Sequence, residues 1–448
     1  MLPTIKTDVA IIGAGASGLA AAKALIEAGI SVCILEGRSR IGGRIHTVHD
    51  NTLTMPIELG AEFIHGASRD IWSIVEAAGL SVYDCMDNHL HRMNGKLQAV
   101  PEFWEKVGNF LDSLGQSNDQ SSNGPERTYA EFEEENRTDA DSETLRLARA
   151  YVEGFHAADT KIISEKGLAV AEQAHEQLNG SETFRIQDGY DQIPKFLVSS
   201  LREPDRNLRL NTVVKNIRWG KGQVEIHCEN ANGYVLPRIA CKRVLVTVPI
   251  GVLKAQPGTR AAIKFEPDLE DKRKSFESIH MGSALRIVLH FRTRFWEKSL
   301  DEPLAFLHAE KEGPFRVWWT PMPVRAPILT AWAGGPKAQE LYQLSEAQIL
   351  NLALDNLASA FDHTNEFMQS QIRASYFHNW QEDPFTLGAY SYLGIGGIEA
   401  AKEYAKPVEN TLFFAGEATN PGAGRGTVDG AMATGYRAAE EIIESLEE

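Results

Sequence analysis

The chain has 448 residues, 43% of them apolar and 24% charged, which allows two or three domains with a sizeable core and an ordinary globular character. A formal charge of −16 argues against nucleic acid as a general partner and weakly favours cationic ligands. On charge alone, a solvated acidic surface that aids solubility is the simpler account.

The first element is also the most informative. Val9 to Ile12 is an apolar run of strand length that stops at Gly13. The stretch Gly13-Ala14-Gly15-Ala16-Ser17-Gly18 then leads into an alanine-rich helix reaching about Ala28-Gly29, followed by a second buried strand, Ser31 to Leu35, that ends on Glu36. Strand, glycine turn, helix, strand and acid in this order form a dinucleotide fingerprint. Gly13 permits the tight turn, Gly15 lets backbone approach a pyrophosphate, and Gly18 allows the helix to pack closely on the strand. The helix N-terminus presents free N–H groups and the positive end of its dipole to the phosphates. Glu36, eighteen residues after Gly18, is placed to accept hydrogen bonds from both ribose hydroxyls.

Directly after that acid comes Gly37-Arg38-Ser39-Arg40-Ile41-Gly42-Gly43-Arg44. Three arginines and a diglycine can fold back over the pyrophosphate, with Arg44 neutralising its charge and Gly42-Gly43 allowing close backbone approach. A plain nicotinamide dehydrogenase has no need of such a segment. Glu36 through Arg44 resembles the second signature of the flavin amine oxidases, the family of monoamine oxidases, polyamine oxidases and lysine-specific histone demethylases. The resemblance implies an α/β fold: a Rossmann-type FAD-binding domain assembled from three chain segments, with an α+β substrate-binding domain. Its cofactor-binding residues here would be Gly13, Gly15, Gly18, Glu36, Arg38, Gly43 and Arg44.

The first nucleotide-binding segment, 1–70, closes with Pro56-Ile57-Glu58-Leu59-Gly60-Ala61-Glu62-Phe63-Ile64-His65-Gly66. Polyamine and spermine oxidases carry a similar Leu-Gly-Ala…His-Gly pattern beside the flavin ring. Gly60 and Ala61 are small enough for a flat ring to come close. His65 is either a polar group in an apolar cavity or a satisfied structural histidine, and the resemblance favours the first.

From 71 to 183 the expected character is helical, over Ile71–Gly79, Phe103–Leu111 and Ser142–Ala157, interrupted by a polar, low-complexity loop from Gln116 to Gly124. This segment is assigned to the substrate domain. Nucleotide-domain patterning returns over 184–258. A helix is expected from Gly189-Tyr190-Asp191 through Leu201, then a β-meander of Asn211–Trp219, Gln223–Cys228 and Ile239–Val248. Val214 would pack on the adenine; as a residue alone it is equally a core valine. Residues 259–375 read as the second half of the substrate domain, with strands Ala284–Phe291 and Phe315–Thr320 and a helix from Ser345 to Ala360.

The last segment, 376–448, carries Trp380-Gln381-Glu382-Asp383-Pro384-Phe385…Gly388-Ala389-Tyr390-Ser391-Tyr392, similar to the family's W-x-x-D-P-F…G-x-Y-S-Y stretch. Trp380 and Tyr390 are thereby expected at the flavin. Leu412 to Phe414 is a strand leading to Gly416-Glu417, then through Gly424-Arg425-Gly426 to Thr427-Val428 and the C-terminal helix. A strand followed by a helix N-terminus suits the pyrimidine end of a flavin and its phosphates. Gly416, Glu417, Thr427 and Val428 join the expected cofactor contacts.

Three departures from the family pattern bear on chemistry. Ala389 stands where monoamine oxidases carry the cysteine that attaches their flavin, which implies non-covalent FAD. Gly424 to Thr427 offers no second tyrosine to complete an aromatic pair with Tyr390. Arg286, counted from Gly282, takes the place of a lysine that holds a water against flavin N5. A guanidinium keeps its charge and does not act as a base. Along Ala284–Phe291, alternation sets Ile287, Leu289 and Phe291 as core, and Arg286, Val288 and His290 toward something polar, either the cavity or solvent.

The function implied by the resemblance is FAD-dependent oxidation of primary or secondary amines, polyamine-like ones favoured. Hydride passes from the carbon next to nitrogen to flavin N5, water hydrolyses the imine, and O2 reoxidises the flavin with release of peroxide. Arg286, His65, Tyr390 and Trp380 are the residues expected at the reacting centre. The alternatives are an amino-acid oxidase using Arg286 for the substrate carboxylate, a desaturase, or a non-catalytic flavin-binding scaffold. Cys33, Cys85, Cys228 and Cys241 show no C-x-x-C spacing, so neither a zinc site nor a disulfide framework is expected. With no stretch near the roughly twenty apolar residues of a membrane span, and a fingerprint that begins almost at the first residue, the expectation is a cytoplasmic enzyme with no membrane partner. Its oligomeric state stays open.

Overall fold

Strands Val9–Ile12 and Val32–Leu35 are buried at every position, as expected for a parallel sheet covered on both faces. They are the centre of a five-stranded, wholly parallel sheet whose order is Leu208–Arg209, Val32–Leu35, Val9–Ile12, Arg243–Val246, Leu412–Phe414. Its strands come from the start, the middle and the end of the chain. In this computed structural model the described residues are 3–93, 96–99, 103–114, 125–138, 140–201, 203, 207–300, 302–309, 313–422 and 424–447. The expected loop from Gln116 to Gly124 lies outside them.

Each face of the parallel sheet has its own core. On one side Ile11, Ile34 and Leu245 pack with residues of helices Ala16–Glu27, Gln192–Ser199 and Val428–Glu447. On the other, Ala10, Ile12 and Val246 meet a second sheet built on the antiparallel strands Val213–Gly220, Gln223–Glu229 and Ile239–Cys241. That meander was expected, but its last strand is shorter than the sequence suggested. The apolar run Ile239–Val248 is divided at Lys242, where the amides of Lys242 and Arg243 both donate to Asp8 O (2.9 and 3.1 Å). The chain there leaves the meander and enters the parallel sheet. Both halves are equally apolar, so periodicity carries no mark of the change.

The third sheet has seven strands, in the order Ile372–Phe377, Ala284–Phe291, Ile328–Gly334, Val317–Trp319, Phe306–His308, His89–Met93, Lys96–Ala99. The last two strands correct the expectation of a helical 71–183. They are short and polar; Lys96–Ala99 pairs with its neighbour His89–Met93, which has a distant support, His89 and His91 pairing in parallel with Phe306 and His308. Helices Arg69–Ala77, Phe103–Leu111 and Ser142–Phe155 do occur in that region. Strand Ala284–Phe291 is buried throughout. Its alternation separates two cores and not core from solvent, because Val288 packs with Ile57, Leu59 and Ile328. The face carrying Arg286 is thus covered by the segment that leads to His65.

Candidate active site

Between the parallel sheet and the seven-stranded sheet lies a cavity of about 1870 Å³. One end is the fingerprint turn. Gly13 sits at φ +111°, a conformation other residues rarely adopt, and a Cβ on Gly18 would lie 2.1 Å from Gly13 O. Both glycines therefore answer to the protein's own backbone. Gly15 does not: its φ of −81° suits any residue, and a Cβ there would meet nothing within 4 Å. It caps helix Ala16–Glu27 with no side-chain hydrogen bond, so the first amides of that helix face the cavity unpaired by a cap.

The arginine segment folds back as expected. Gly42 N donates to Ala14 O (2.8 Å), Gly15 and Gly42 form a parallel bridge, and a Cβ on Gly43 would come within 3.4 Å of Gly15 Cα. Glu36 is buried, with Oε2 accepting from Ala14 N (2.8 Å) and Oε1 from Arg38 N (2.9 Å). The remaining lone pairs of its carboxylate are available to ribose hydroxyls. The guanidinium of Arg38 turns to the last segment, donating to Asp383 Oδ1 (2.7 Å) and Thr386 Oγ1 (2.6 Å). Arg44 lines the cavity, but its Nη1 is engaged by Glu417 Oε1 and Ala389 O, both at 2.8 Å.

Glu417 is a junction of three loops. Besides Arg44 it receives Ser391 Oγ (2.6 Å) and Gly426 N (3.2 Å) on Oε2. Burial penalises its charge, yet Arg44, then Ser391 and Arg425, hold the carboxyl below its ordinary range. Thr427 Oγ1 accepts from Gly430 N (3.1 Å) at the start of helix Val428–Glu447, a second helix N-terminus on the cavity. Gly416 and Val214 line the cavity too, and Val214 is at the same time a residue of the core beneath it.

Further along the cavity stand Trp380, Tyr390, His65 and Arg286. Trp380 Nε1 donates to Leu59 O (2.8 Å) and Tyr390 OH to Phe155 O (2.5 Å), which pins both rings. His65 Nδ1 lies 3.4 Å from Gly180 O, and a carbonyl only accepts, so Nδ1 carries the proton and Nε2 is the acceptor nitrogen. Burial, with His175 nearby, pushes the His65 imidazolium down to about 4. At Gly60 a Cβ would sit 1.8 Å from Arg44 O, so backbone crowding by itself demands the glycine. Gly60 and Ala61 nevertheless both line the cavity.

Arg286 is buried. Nη1 donates to Glu58 O (3.0 Å) and Gly60 O (2.7 Å), Nη2 pairs with Glu62 Oε2 (3.2 Å), and the guanidinium lies over Trp319 and Trp332. Its Nε is buried with no hydrogen-bond partner among the described residues. Glu62 also binds Arg185 Nε (2.7 Å) and Trp319 Nε1 (3.1 Å). Glu62, Arg185 and Trp319 were not singled out in the sequence. They lie far apart along the chain, and the Gly60-Ala61 pattern beside Glu62 was the only local signal.

The space above Gly15, two helix N-termini, the buried Glu36 carboxylate and a cavity of this size fit a flavin dinucleotide. None of the four cysteines, all free, lines that cavity. The sequence profile of the family described as flavin containing amine oxidoreductase matches residues 16–443. The chain belongs to that family. Its reaction is FAD-dependent amine oxidation.

Within the family, the oxidoreductase is 29% identical to a probable polyamine oxidase 4 of Arabidopsis thaliana, over 97% of this chain and 87% of that protein. It is also 29% identical to a lysine-specific histone demethylase 1 homolog 3 of the same plant, over 98% of this chain but only 30% of that much longer protein. In fold it resembles a putrescine oxidase solved with putrescine bound, with a TM-score of 0.80 at 20% identity over 99% of this chain and all of that one. No helix among the described residues is long and apolar enough to cross a membrane.

Proposed function

We propose that this amine oxidoreductase is an oxidase of polyamine-like substrates with O2 as electron acceptor. Non-covalent FAD would be held by Gly13, Gly15, Glu36, Arg44 and Glu417, with Gly18 packing the first helix against its strand, and with Val214 and the Thr427-Val428 helix start along the cofactor's length. When bound, FAD supplies the redox chemistry, accepting a hydride from the carbon next to the substrate nitrogen and passing two electrons to O2 to give hydrogen peroxide. Segments 1–70, 184–258 and 376–448 hold the cofactor in this reading, and 71–183 and 259–375 shape the substrate side.

The observation that carries the reading is one continuous cavity. It exposes Gly15 and two helix N-termini at one end and is walled by Trp380, Tyr390 and His65 further on. Trp380 and Tyr390, locked by their hydrogen bonds, confine the substrate chain. A protonated nitrogen has no lone pair to support the developing iminium, so the reacting amine must be neutral. His65, unprotonated above about pH 4, is too weak a base to keep that proton, and offers Nε2 as a hydrogen-bond acceptor for the amine or a water. Arg286 orders the 58–62 segment through its carbonyls and places a permanent positive charge beside the cavity. With Nη1 and Nη2 so engaged, it does not present a free fork to a substrate carboxylate, which weighs against the amino-acid oxidase reading. The free cysteines support a reducing, cytoplasmic setting.

The test is anaerobic mixing of the yellow holoprotein with polyamines, monoamines and amino acids. Polyamines should bleach the flavin, and in air peroxide should form in step with aldehyde. Acid precipitation should release all the FAD. An amino acid that reduces the flavin where every amine fails would overturn the reading.

A further inference from the structure

One wall of the cavity is formed by the end of helix Ser142–Phe155 and by helix Glu165–Gln177. The rings of Tyr151 and Phe155 stack there, centroids 5.1 Å apart and 9° from parallel. His156 meets both edge-on, at 5.6 Å from Tyr151 and 5.3 Å from Phe155, and His175 stands edge-on to Phe155 at 5.5 Å. Glu172 lies among these rings. It accepts from His156 Nε2 at 2.6 Å and from Tyr151 OH at 3.2 Å. All five line the cavity, and Phe155, although apolar, is 40% exposed. The box abuts the reacting end: Phe155 O is the acceptor for Tyr390 OH, and Phe155 is edge-on to His65 at 5.9 Å.

The charge balance of this box differs from that of three other carboxylates on the cavity. Glu62 is matched by Arg185 and Arg286, Glu417 by Arg44 and Glu143 by Arg146. The hydrogen-bond partners of Glu172 among the described residues are a histidine and a phenol, with no arginine or lysine. Burial disfavours its charge, but the hydrogen bond from His156, with His175 and Tyr151, keeps the carboxyl below its ordinary range and therefore ionised at neutral pH. Burial pushes the His175 imidazolium down, against the attraction of Glu172. Glu172 thus faces the cavity as a carboxylate whose hydrogen-bond donors are an imidazole and a phenol. Aromatic faces beside a carboxylate are the chemistry that holds an alkylammonium ion.

We propose that Glu172, boxed by Tyr151, Phe155, His156 and His175, seats a second ammonium of the substrate and makes the enzyme selective for diamines and polyamines over monoamines. The proposal rests on the amine-oxidation reading and adds to it the residue that recognises the far end of the substrate. The two nitrogens have opposite needs. The reacting one must shed its proton beside His65, whereas the distant one stays charged and anchors the chain so that the carbon next to the reacting nitrogen is held in place.

The test compares straight-chain α,ω-diamines with monoalkylamines of the same carbon count, in wild type and in Glu172→Gln. The wild type should favour the diamine in kcat/KM. Glu172→Gln should lower the diamine value about 10- to 100-fold, chiefly through KM, as expected for one lost charge-assisted hydrogen bond. The monoamine values should stay within about twofold, with FAD content and flavin spectrum unchanged. Glu172→Asp, which keeps the charge, should restore part of the diamine preference even if Glu172→Gln loads FAD poorly. Equal losses on both substrates, or no loss on diamines, would overturn the role of Glu172 while leaving amine oxidation standing. A wild-type flavin that no amine reduces would instead overturn the amine-oxidation reading, and this proposal with it.

Discussion

Gly15 and Gly18 belong to the same fingerprint, but the structure gives them different jobs, and the difference can be measured. At Gly15 the backbone is extended (φ −81°, ψ −177°), and an added Cβ meets no protein atom within 4 Å. Valine there costs the folded apoprotein no more than the loss of a weak N-cap, about 1 kcal/mol, which moves the apo melting temperature by less than about 4 °C. The same valine fills the approach to the first amides of helix Ala16–Glu27. Two charge-assisted hydrogen bonds to a pyrophosphate, at about 1.5–3 kcal/mol each, correspond to a roughly 10²- to 10⁴-fold loss of FAD affinity. At Gly18 an added Cβ lies 2.1 Å from Gly13 O, a backbone atom that cannot move aside. Gly18→Ala should therefore destabilise the apoprotein by several kcal/mol, as severe overpacking does. The assay is thermal unfolding of both apoproteins beside flavin titration. Apo must be compared with apo, because bound FAD stabilises by mass action. A Gly15→Val protein that binds FAD with wild-type affinity, or whose apo form melts as low as Gly18→Ala, would refute the reasoning.

Three further outcomes are expected. His65→Ala should slow anaerobic flavin reduction more than it weakens FAD binding; equal loss of both would mark His65 as structural. Arg286→Met leaves the Glu58 and Gly60 carbonyls without their donor and Glu62 with Arg185 as its one guanidinium partner. Rapid mixing should then show slower reduction or reoxidation with FAD retained, and chemical denaturation a loss of about 3–5 kcal/mol; unchanged rates in both half-reactions would remove Arg286 from the reacting centre. Burial pushes the Glu58 carboxyl from 4.5 up to about 7, against hydrogen bonds from Tyr190 N and Thr47. Between those values the folded state holds a proton that the unfolded chain has released, so stability falls as pH rises across that window. Glu58→Gln should flatten the fall by roughly 2–3 kcal/mol, read from denaturation midpoints at pH 5 and pH 8; an unchanged slope would show that Glu58 ionises normally.

The fingerprint was legible in the sequence because its parts are local. Turn, helix and following strand span fewer than thirty residues, Val9 to Glu36, and each glycine has a steric reason that holds for any such turn. The long helices Ser142–Phe155, Glu346–Ala360 and Val428–Glu447 were legible for the same reason, their apolar spacing being internal to the segment. What the tertiary structure decided is pairing across the chain. Periodicity cannot show that the run after Ile239 changes sheets at Lys242, or that the polar strand His89–Met93 is completed by Phe306–His308. Nor can it show that both faces of Ala284–Phe291 are covered, since a charged residue at an alternating position reads alike toward water and toward a buried partner. Arg286 is inside because Glu62 and the Glu58 and Gly60 carbonyls are there to receive it. Glu172 is an unremarked acid on helix Glu165–Gln177 until the end of helix Ser142–Phe155 places three rings around it. A buried charge is tolerated only where distant segments supply its partners, and which segments meet is a property of the whole fold.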